Sequence, residues 1–313
     1  MTQHAAAPED ALPAITVVVP TRDRPDMLRA TLAAIEAQDY PGRVDTIVVF
    51  DQSDPDLSLM RDSPRRAVSV VRNTRSQGLA GARNSGILAA DTPLVAFCDD
   101  DDVWHPERVA VQVRAMQADP GATLMSCGIR VRYQDRDVVR SLPAGRVELS
   151  DLLRSRLTEL HPSTFLLDRE QLLGPIGLVD EEIPGSYAED YEFLLRIARH
   201  GRIRNVPDVL VDVRWHQQSY FTQRWQTIAT ALSWLLDRYP EFADEPRGRA
   251  RVQGQIAFAE AAGGHRRAAA RASATALRSH PLEPRAFLAL AVASGALTPE
   301  RVLRTLHRRG RGI

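Results

Sequence analysis

Four consecutive aspartates, residues 99–102, are the residues of this chain whose type and spacing point most clearly to a functional site. They follow the apolar run 94–98, which predicts a buried strand that delivers four carboxylates to one loop. Their mutual repulsion is costly unless a cation or solvent offsets it. Hard divalent cations take carboxylate oxygens as ligands, often together with substrate phosphates. The pattern favours a metal site, and the alternative is a solvated acidic turn before a helix that starts near Pro106.

A second acidic pair, Glu189 and Asp190, opens a predicted helix over residues 189–199. The apolar residues Phe193, Leu194 and Ile197 form the inward face of this helix, which leaves both acids in its first turn. Carboxylates in that position stabilise a helix without any further role. A carboxylate can also serve as a general base, so the residues alone leave both interpretations open.

The first half of the chain alternates short β-branched runs with helical segments, which predicts a mostly parallel α/β sheet with helices on both faces. In such sheets, ligands bind outside the carboxyl ends of the strands. Pro20, Thr21, Asp51 and the acidic loop all lie at or directly after predicted strand ends. The predicted strands span residues 15–20, 45–51, 67–72 and 94–98, and further strands are expected near 124–131 and 164–167.

A glycine-rich segment over residues 78–86 lies before the last of the first four strands. Gly78, Gly81 and Gly86 do not have the spacing of a dinucleotide-binding fingerprint. They either allow a tight entry into a helix or contact a ligand directly. Arg83, within the same segment, is a candidate phosphate ligand because a planar guanidinium can bind phosphate through two hydrogen bonds.

Composition excludes several classes of function. The chain carries 40 basic and 40 acidic residues, so its net charge predicts no general affinity for nucleic acid. All the basic residues apart from histidine are arginine, which excludes a catalytic lysine. The two cysteines, Cys98 and Cys127, lack the spacing of a zinc site or a disulfide framework. We expect both thiols to be buried and the protein to be cytoplasmic.

The two ends of the chain carry weaker signals. Residues 1–14 contain acids and prolines and resemble no secretory signal, and they are expected to be a disordered lead-in. No stretch reaches the roughly 20 apolar residues that a membrane span needs. Beyond residue 220 the chain is rich in Ala and Arg and predicts helices. Its last part carries a basic cluster that either contacts anionic lipid at the inner membrane face or is a solvated helix end. This cluster comprises Arg301, Arg304, Arg308, Arg309 and Arg311.

Five segments in order make the chain resemble glycosyltransferase family 2, whose members have the GT-A fold. They are PTRDRPDMLRATL, VVFDQSD, GLAGARNSGI, FCDDDDVWHPERV and YAEDYEFLLRIARHG. The resemblance covers about residues 15–219. It implies a metal-dependent, inverting transfer of a sugar from a nucleotide-sugar donor to a hydroxyl of a saccharide, lipid-linked or other acceptor. The expected setting is cell-surface polysaccharide, glycolipid or glycoconjugate biosynthesis, and the expected metal is Mg²⁺ or Mn²⁺.

The resemblance also assigns roles to residues. Asp190 would be the catalytic base. Asp101 and Asp99 would bind the metal, and His216, in an Arg-x-His-like element, is a weaker metal or phosphate candidate. Trp104, His161 and Glu189 are expected on the acceptor side, although Trp104 is equally suited to core packing. The expected nucleotide-sugar ligands are Pro20, Thr21, Arg22, Asp51, Arg83, Asp99 and Asp100.

The expected domains are a GT-A domain over residues 15–219 and a helical extension over 220–313. Within the GT-A domain, residues 15–105 would bind the nucleotide and 106–219 the acceptor. The sequence departs from the family pattern around Asp51, because the family usually has an acid at Phe50 and glycine at Gln52. The identity of the base is therefore open.

Two rival functions remain at this point. Asp99 and Asp101 after an apolar strand also resemble the nucleophile motif of haloacid-dehalogenase phosphatases, but that mechanism normally uses a lysine. A nucleotidyltransferase lacks support for the same reason. The chain is alternatively a non-catalytic nucleotide-sugar-binding scaffold, which the intact acidic motifs argue against.

Overall fold

The computed structural model describes residues 12–133, 136–215 and 224–307. The strands are β1 Ile15–Thr21, β2 Val44–Phe50, β3 Val68–Arg72, β4 Leu94–Phe97, β5 Val103–Trp104, β6 Leu124–Tyr133, β7 Arg136–Arg140, β8 Gly145–Val147, β9 Leu166–Asp168 and β10 Ile203–Arg214. The helices are α1 Pro25–Glu36, α2 Leu79–Ala89, α3 Arg108–Ala118, α4 Leu149–Arg154, α5 Arg169–Leu173, α6 Glu189–His200, α7 Trp225–Arg238, α8 Pro246–Ala262, α9 Arg266–Ser279, α10 Pro284–Ala293 and α11 Pro299–His307.

The first βα unit shows how the sequence produces these elements. β1 is a run rich in β-branched residues that is buried along its whole length, as expected for a strand covered on both faces. α1 begins at Pro25, where the fixed φ of proline suits the first helical turn and its missing N–H costs no hydrogen bond. Leu28 and Ile35 of α1 are buried in the same apolar cluster as β1. These elements confirm the strand and the helix expected there.

The strands form one sheet in the order β3-β2-β1-β4-β9-β6-β10-β5, with β7 on β6 and β8 on β10. The pairs β3-β2, β2-β1, β1-β4 and β6-β10 are parallel. β9 is antiparallel to both β4 and β6, so β6 runs in the same direction as β4. The carboxyl ends of β1, β2, β4, β6 and β10 therefore lie at one edge of the sheet. This confirms the predicted mostly parallel α/β fold.

Three short strands were not expected from the sequence. β5 has only two residues, and β7 lies outside the core with Val139 59% exposed. β7 and β8 pair at the margins of the sheet, on β6 and β10 respectively. Neither carries the apolar alternation that marks a half-buried strand. Their pairing depends on the neighbouring long strands, which a local pattern does not show.

The chain divides into two compact units that are not continuous in sequence. The first unit comprises residues 1–148, 158–181 and 196–215 and contains the whole sheet. The second comprises residues 149–157, 182–195 and 216–313. The sequence-based boundary near residue 220 does not anticipate that residues 149–157 and 182–195 group with the later helices.

The second unit is helical throughout its described residues. Helix α8 packs against α4, α7, α9 and α10, and an apolar cluster that includes Phe258, Val292 and Val302 holds the later helices together. Gly248 on α8 faces the backbone carbonyl of Leu153, and a Cβ there would lie 1.8 Å from that oxygen. Only glycine allows this close approach of α8 to α4. The residues around Gly248 in the sequence do not predict this packing role.

Candidate active site

The four aspartates lie directly after β4, at the shared carboxyl edge of the sheet. The backbone N–H of Asp102 donates to the carbonyl of Asp99 at 3.1 Å, which closes the loop into a turn. Asp99 accepts a 2.8 Å hydrogen bond from Nη2 of Arg83, a buried residue of α2. The Arg83 guanidinium, from 16 residues earlier in the chain, thus faces the first carboxylate of the loop.

Asp100 is buried and points toward the end of β1. It accepts a 2.7 Å hydrogen bond from the Thr21 hydroxyl. Burial raises the pKa of Asp100 to about 6, although the Thr21 hydrogen bond and the charge of Arg24 act in the opposite direction. The loop therefore holds at least one carboxyl that ionises less readily than an exposed aspartate.

Asp102 is also buried, and hydrogen bonds occupy both of its carboxylate oxygens. The Ser163 hydroxyl donates to Oδ2 at 2.5 Å, and the backbone N–H of Arg214 donates to Oδ1 at 3.2 Å. Burial raises the pKa of Asp102 well above its usual range, and the charges of Asp99 and Asp101 raise it further. Ser163 Oγ also accepts from the backbone N–H of Asp99 at 3.0 Å. Asp102 and Ser163 together fix the shape of the loop.

Asp101 faces Arg24, the last residue of the connection between β1 and α1. Nη1 of Arg24 lies 2.5 Å from Oδ2 of Asp101, and Nη2 of Arg24 lies 3.4 Å from Asp100. Burial by itself lowers the pKa of Arg24, but the charges of Asp100, Asp101 and Asp99 outweigh it and the pKa rises. Arg24 therefore stays charged and neutralises part of the loop.

One group of side chains has the spacing of metal ligands. Ligand atoms of Asp99, Asp102 and His161 lie within 4.8 Å of one another. His161 Nδ1 lies 3.5 Å from Asp102 and accepts from the backbone N–H of Ser163 at 3.3 Å. His161 was expected on the acceptor side, and the structure places it beside the acidic loop. Asp101, expected as a direct metal ligand, faces Arg24.

The other strand ends carry the expected polar residues. Pro20 and Thr21 close β1, and the neighbouring Arg22 is exposed, with its Nε 3.7 Å from Asp23. Asp51 follows β2 and accepts hydrogen bonds from the Asn73 side chain at 2.8 Å and from the backbone N–H of Gly78 at 3.0 Å. Asp51 thereby ties the end of β2 to the start of α2.

The glycines of the 78–86 segment have packing roles. Gly78, at the start of α2, has a φ of 110°, a conformation that side chains rarely adopt. A Cβ on Gly81 would lie 1.9 Å from the carbonyl oxygen of Ser76, and one on Gly86 would lie 2.3 Å from Val18. These distances support the interpretation of a tight helix entry.

The acidic pair belongs to the second unit. Glu189 and Asp190 open α6, as predicted, and Glu189 is buried. Nη2 of Arg156 lies 2.7 Å from Oδ1 and 2.9 Å from Oδ2 of Asp190. Burial acts to lower the pKa of Arg156, but Asp190 outweighs it and the pKa rises. Arg156 also hydrogen-bonds Tyr187. One partly buried arginine therefore orients the Asp190 carboxylate.

The backbone before this pair is strained. Gly185, Ser186 and Ala188 have φ values of 63°, 53° and 63°. Left-handed conformations cost non-glycine residues roughly 1 to 2 kcal/mol each, and such strain concentrates at functional sites. The four aspartates of the acidic loop have no positive φ.

Residues 16–172 match glycosyl transferase family 2. This chain belongs to that family. The phosphatase and nucleotidyltransferase alternatives find no support, and the protein is a glycosyltransferase.

Named relatives and solved structures agree with this assignment. A glucosyltransferase of Escherichia coli, WfgD, is 22% identical over 189 residues, which cover 60% of this chain and 71% of the relative. S. aureus TarS 1-349 in complex with UDP-GlcNAc aligns with a TM-score of 0.61 at 19% identity, over 95% of this chain and 92% of TarS. A mannosyltransferase of Pyrobaculum calidifontis, PcManGT, in complex with GDP-Man and Mn²⁺, aligns with a TM-score of 0.56 at 21% identity, over 97% and 87%. Both structures show the fold.

Two positions that the sequence left open, Gln52 and Trp104, have a defined geometry in this glycosyltransferase. Gln52, at the position where the family usually has glycine, has a φ of 56°, so the left-handed turn persists without glycine. Trp104 is buried, its indole N–H donates to the Ser163 carbonyl, and the Arg108 guanidinium lies 3.5 Å from the centre of its ring. This position matches the packing interpretation of Trp104. Cys98 and Cys127 are buried, as predicted.

Two residues of these sites, Arg24 and Arg156, were not singled out from the sequence, and a third, Ser163, was expected from the resemblance on the acceptor side with His161. Arg24 lies in the PTRDRP segment, but one arginine among two in that segment carries no distinguishing mark. Ser163 follows His161, and only the antiparallel β9 brings it to the loop. Arg156 precedes Asp190 by 34 residues and lies in a stretch without a motif.

Some expectations fall outside the described residues. These are His216 and the basic residues Arg308, Arg309 and Arg311. Arg301 and Arg304, on α11, are exposed. Among the helices of the described ranges, none has the length and apolar character to cross a membrane.

Proposed function

We propose that this family 2 glycosyltransferase moves a sugar from a nucleoside-diphosphate sugar to an acceptor hydroxyl, with inversion and with a divalent metal ion. The observation that carries the proposal is the acidic loop at the carboxyl edge of the parallel strands, where ligands of such sheets bind. Thr21, at the end of β1, hydrogen-bonds to this loop, and Asp51 directly follows β2, the strand that pairs with β1. The arrangement supports a phosphorylated nucleotide ligand at this edge.

The proposed donor and acceptor classes are supported by the ligands in the solved structures and by the acceptor named for a relative. TarS and PcManGT are described with UDP-GlcNAc and GDP-Man, so a uridine or guanosine diphosphate sugar is the first class to test. WfgD is named for a diphosphoundecaprenol-linked acceptor. We therefore place this enzyme in surface polysaccharide, glycolipid or glycoconjugate synthesis, with a saccharide or lipid-linked acceptor.

Asp99 and Asp101 are the proposed metal ligands. Their side chains are 23% and 15% exposed, whereas those of Asp100 and Asp102 are 2% and 1% exposed. Asp102 uses both of its oxygens in hydrogen bonds that shape the loop, so the set of Asp99, Asp102 and His161 would bind metal only at the cost of those bonds. When bound, Mg²⁺ or Mn²⁺ supplies positive charge against the charge that develops on the leaving diphosphate.

Asp190 is the proposed base. Its carboxylate would take the proton of the acceptor hydroxyl while that oxygen forms a bond to the anomeric carbon. The bond from the anomeric carbon to the diphosphate oxygen breaks in the same step, and the nucleoside diphosphate leaves with the electron pair. A single displacement of this kind inverts the configuration. Arg156 supports the step by holding Asp190 ionised and in one orientation.

The Asp190→Asn variant tests this assignment. Asparagine has nearly the same shape but cannot accept the proton, so we expect transfer to fall by roughly 10²- to 10⁴-fold. Thermal stabilisation by the donor should persist, since donor binding stabilises the folded state by mass action. The control is Asp237→Asn, which changes an exposed aspartate of α7. Transfer at the parental rate by Asp190→Asn would refute the base assignment.

A thermal-shift screen identifies the donor class. The purified enzyme is heated with UDP-, GDP- and dTDP-sugars, each with and without Mn²⁺. Stabilisation by one nucleotide, only in the presence of metal, would support both the donor and the metal proposals. Equal stabilisation with and without Mn²⁺ would refute the metal requirement for donor binding.

A further inference from the structure

Arg24 and Asp101 form the most exposed ion pair of the acidic loop. Nη1 of Arg24 lies 2.5 Å from Asp101 Oδ2, across 77 residues of sequence. The Arg24 side chain is 45% exposed, and it emerges just before α1. A cation that approaches Asp101 from solvent therefore meets a position where a guanidinium already neutralises the carboxylate.

Arg83 offers an internal contrast. It pairs with Asp99 at 2.8 Å, but its side chain is only 2% exposed and its guanidinium lies 5.5 Å from the centre of the Phe97 ring. Burial and ring contact fix Arg83 in place. Arg24 has no ring contact among the described residues and is half exposed, so its side chain can leave Asp101 without opening the core.

A metal ion on Asp101 and a guanidinium on the same carboxylate repel each other. The ion carries two positive charges and binds carboxylate oxygen at close range, whereas a half-exposed ion pair contributes little to stability. A metal ion bound at Asp101 would therefore replace Arg24 as the partner of this carboxylate. The released guanidinium matches the geometry of a phosphate, which it can bind through two parallel hydrogen bonds.

We propose that Arg24 is a positioning residue that occupies Asp101 in the metal-free enzyme, leaves it when the divalent ion binds and then contacts the diphosphate of the donor. This inference rests on the proposed metal site at Asp99 and Asp101. Its consequence is thermodynamic coupling. Metal alone must compete with Arg24, while metal and nucleotide together offer Arg24 a new anionic partner, so each ligand strengthens the binding of the other.

Mn²⁺ binding tests the proposal, with free Mn²⁺ quantified by its EPR signal in the absence and in the presence of UDP or GDP. Without nucleotide, Arg24→Gln should bind Mn²⁺ about 3- to 10-fold more tightly than wild type, since the competing ion pair is gone. The factor by which nucleotide strengthens Mn²⁺ binding should fall by at least the same amount. Arg29→Gln is the matched control, because Arg29 is exposed on α1, the helix that follows Arg24, and pairs with Asp26. It should leave both quantities unchanged.

Arg24→Lys separates charge from other effects of the substitution. Lysine keeps the cation, so this variant should retain the weaker metal-free affinity of wild type. Mn²⁺ binding by Arg24→Lys as tight as by Arg24→Gln would overturn the competition mechanism. Unchanged or weakened Mn²⁺ binding by Arg24→Gln would overturn it as well.

Asp101→Asn distinguishes failure of this inference from failure of the proposed function. If Asp101→Asn abolishes Mn²⁺ binding while Arg24→Gln leaves it unchanged, the metal site stands and the role of Arg24 is wrong. If Asp101→Asn leaves Mn²⁺ binding intact in the presence of nucleotide, the metal site itself is wrong and the inference falls with it.

Discussion

The acidic loop and the Glu189-Asp190 segment both present carboxylates, but they hold them in different ways. The loop carries four acids on a backbone without positive φ, and residues from several elements donate hydrogen bonds to them. The Asp190 carboxylate accepts hydrogen bonds from Arg156 at both of its oxygens. The backbone before Asp190 is left-handed at three positions. The acids of the loop therefore have partners on several elements, whereas both oxygens of Asp190 share one arginine nitrogen.

The largest effect that tests this contrast comes from Asp101→Asn compared with Asp190→Asn. Both variants should lose transfer by roughly 10²-fold or more. Only Asp101→Asn should also lose the metal-dependent thermal stabilisation by donor, because it removes a metal ligand. The measurement is a thermal shift with UDP- or GDP-sugar and Mn²⁺ beside a transfer assay. Equal loss of donor stabilisation in both variants would erase the functional distinction between the two regions.

Arg156→Gln should have the next largest effect. Removing the cation leaves Asp190 without the contact that orients it, so we expect transfer to fall by roughly 10- to 100-fold with donor stabilisation retained. A carboxylate without its cation also binds a proton more readily. The acidic limb of the pH dependence of transfer should therefore move to higher pH. Arg154→Gln, an exposed neighbour that pairs with Glu245, is the control.

An equal shift of the acidic limb in Arg154→Gln would contradict a specific role for Arg156. An unchanged limb in Arg156→Gln would mean that the ion pair has only a structural role.

Asp100→Asn tests how much the ionised, buried carboxyl of Asp100 lowers the stability of the folded protein. The pKa of Asp100 is raised from 3.8 to about 6 by burial. Between these values the folded state binds more protons than the unfolded state, so stability falls as pH rises from about 4 to about 6. The loss is about 3 kcal/mol at most, and Asp100→Asn should remove it. Melting temperatures of metal-free protein across this pH range provide the measurement, and Asp237→Asn should keep the wild-type slope.

Ala188→Gly should have the smallest effect. Ala188 has a φ of 63°, and glycine adopts this conformation without steric cost, so we expect stabilisation by about 0.5 to 1 kcal/mol. The matched control is Ala90→Gly, because Ala90 is similarly buried but has a φ of −68°. That change should destabilise the protein by about 0.5 to 1 kcal/mol. Chemical denaturation of both variants gives the comparison, and destabilisation by Ala188→Gly would show that the segment is not strained.

The same two regions show what the sequence could predict. Thr21, Asp51 and the acidic loop were expected at one edge because strand ends of a parallel sheet meet there, and local apolar runs mark those strands. The spacing of apolar residues in α6 likewise predicted that Glu189 and Asp190 lie in the first turn of a helix. Partner arginines were not, because the chain contains 40 of them and only tertiary packing selects Arg24, Arg83 and Arg156.

Register and backbone geometry set the other limit. Ser163 reaches the loop because β9 inserts antiparallel between β4 and β6, a pairing that no local pattern of three residues specifies. Ala188 and Gln52 adopt left-handed conformations that their residue types disfavour. The sequence around Trp104 is compatible with a position on the acceptor side and with core packing, and only the three-dimensional structure shows that this side chain is buried.

Ser163 also constrains how this enzyme can be recombined with its relatives. Its hydroxyl touches both the first and the last aspartate of the loop, although it lies in the sequence half expected to serve the acceptor. A chimera that took residues 15–105 from this chain and the rest from another family member would inherit the acids without their anchor. Exchange of donor preference between relatives should therefore require that residues 158–168 travel with the N-terminal half.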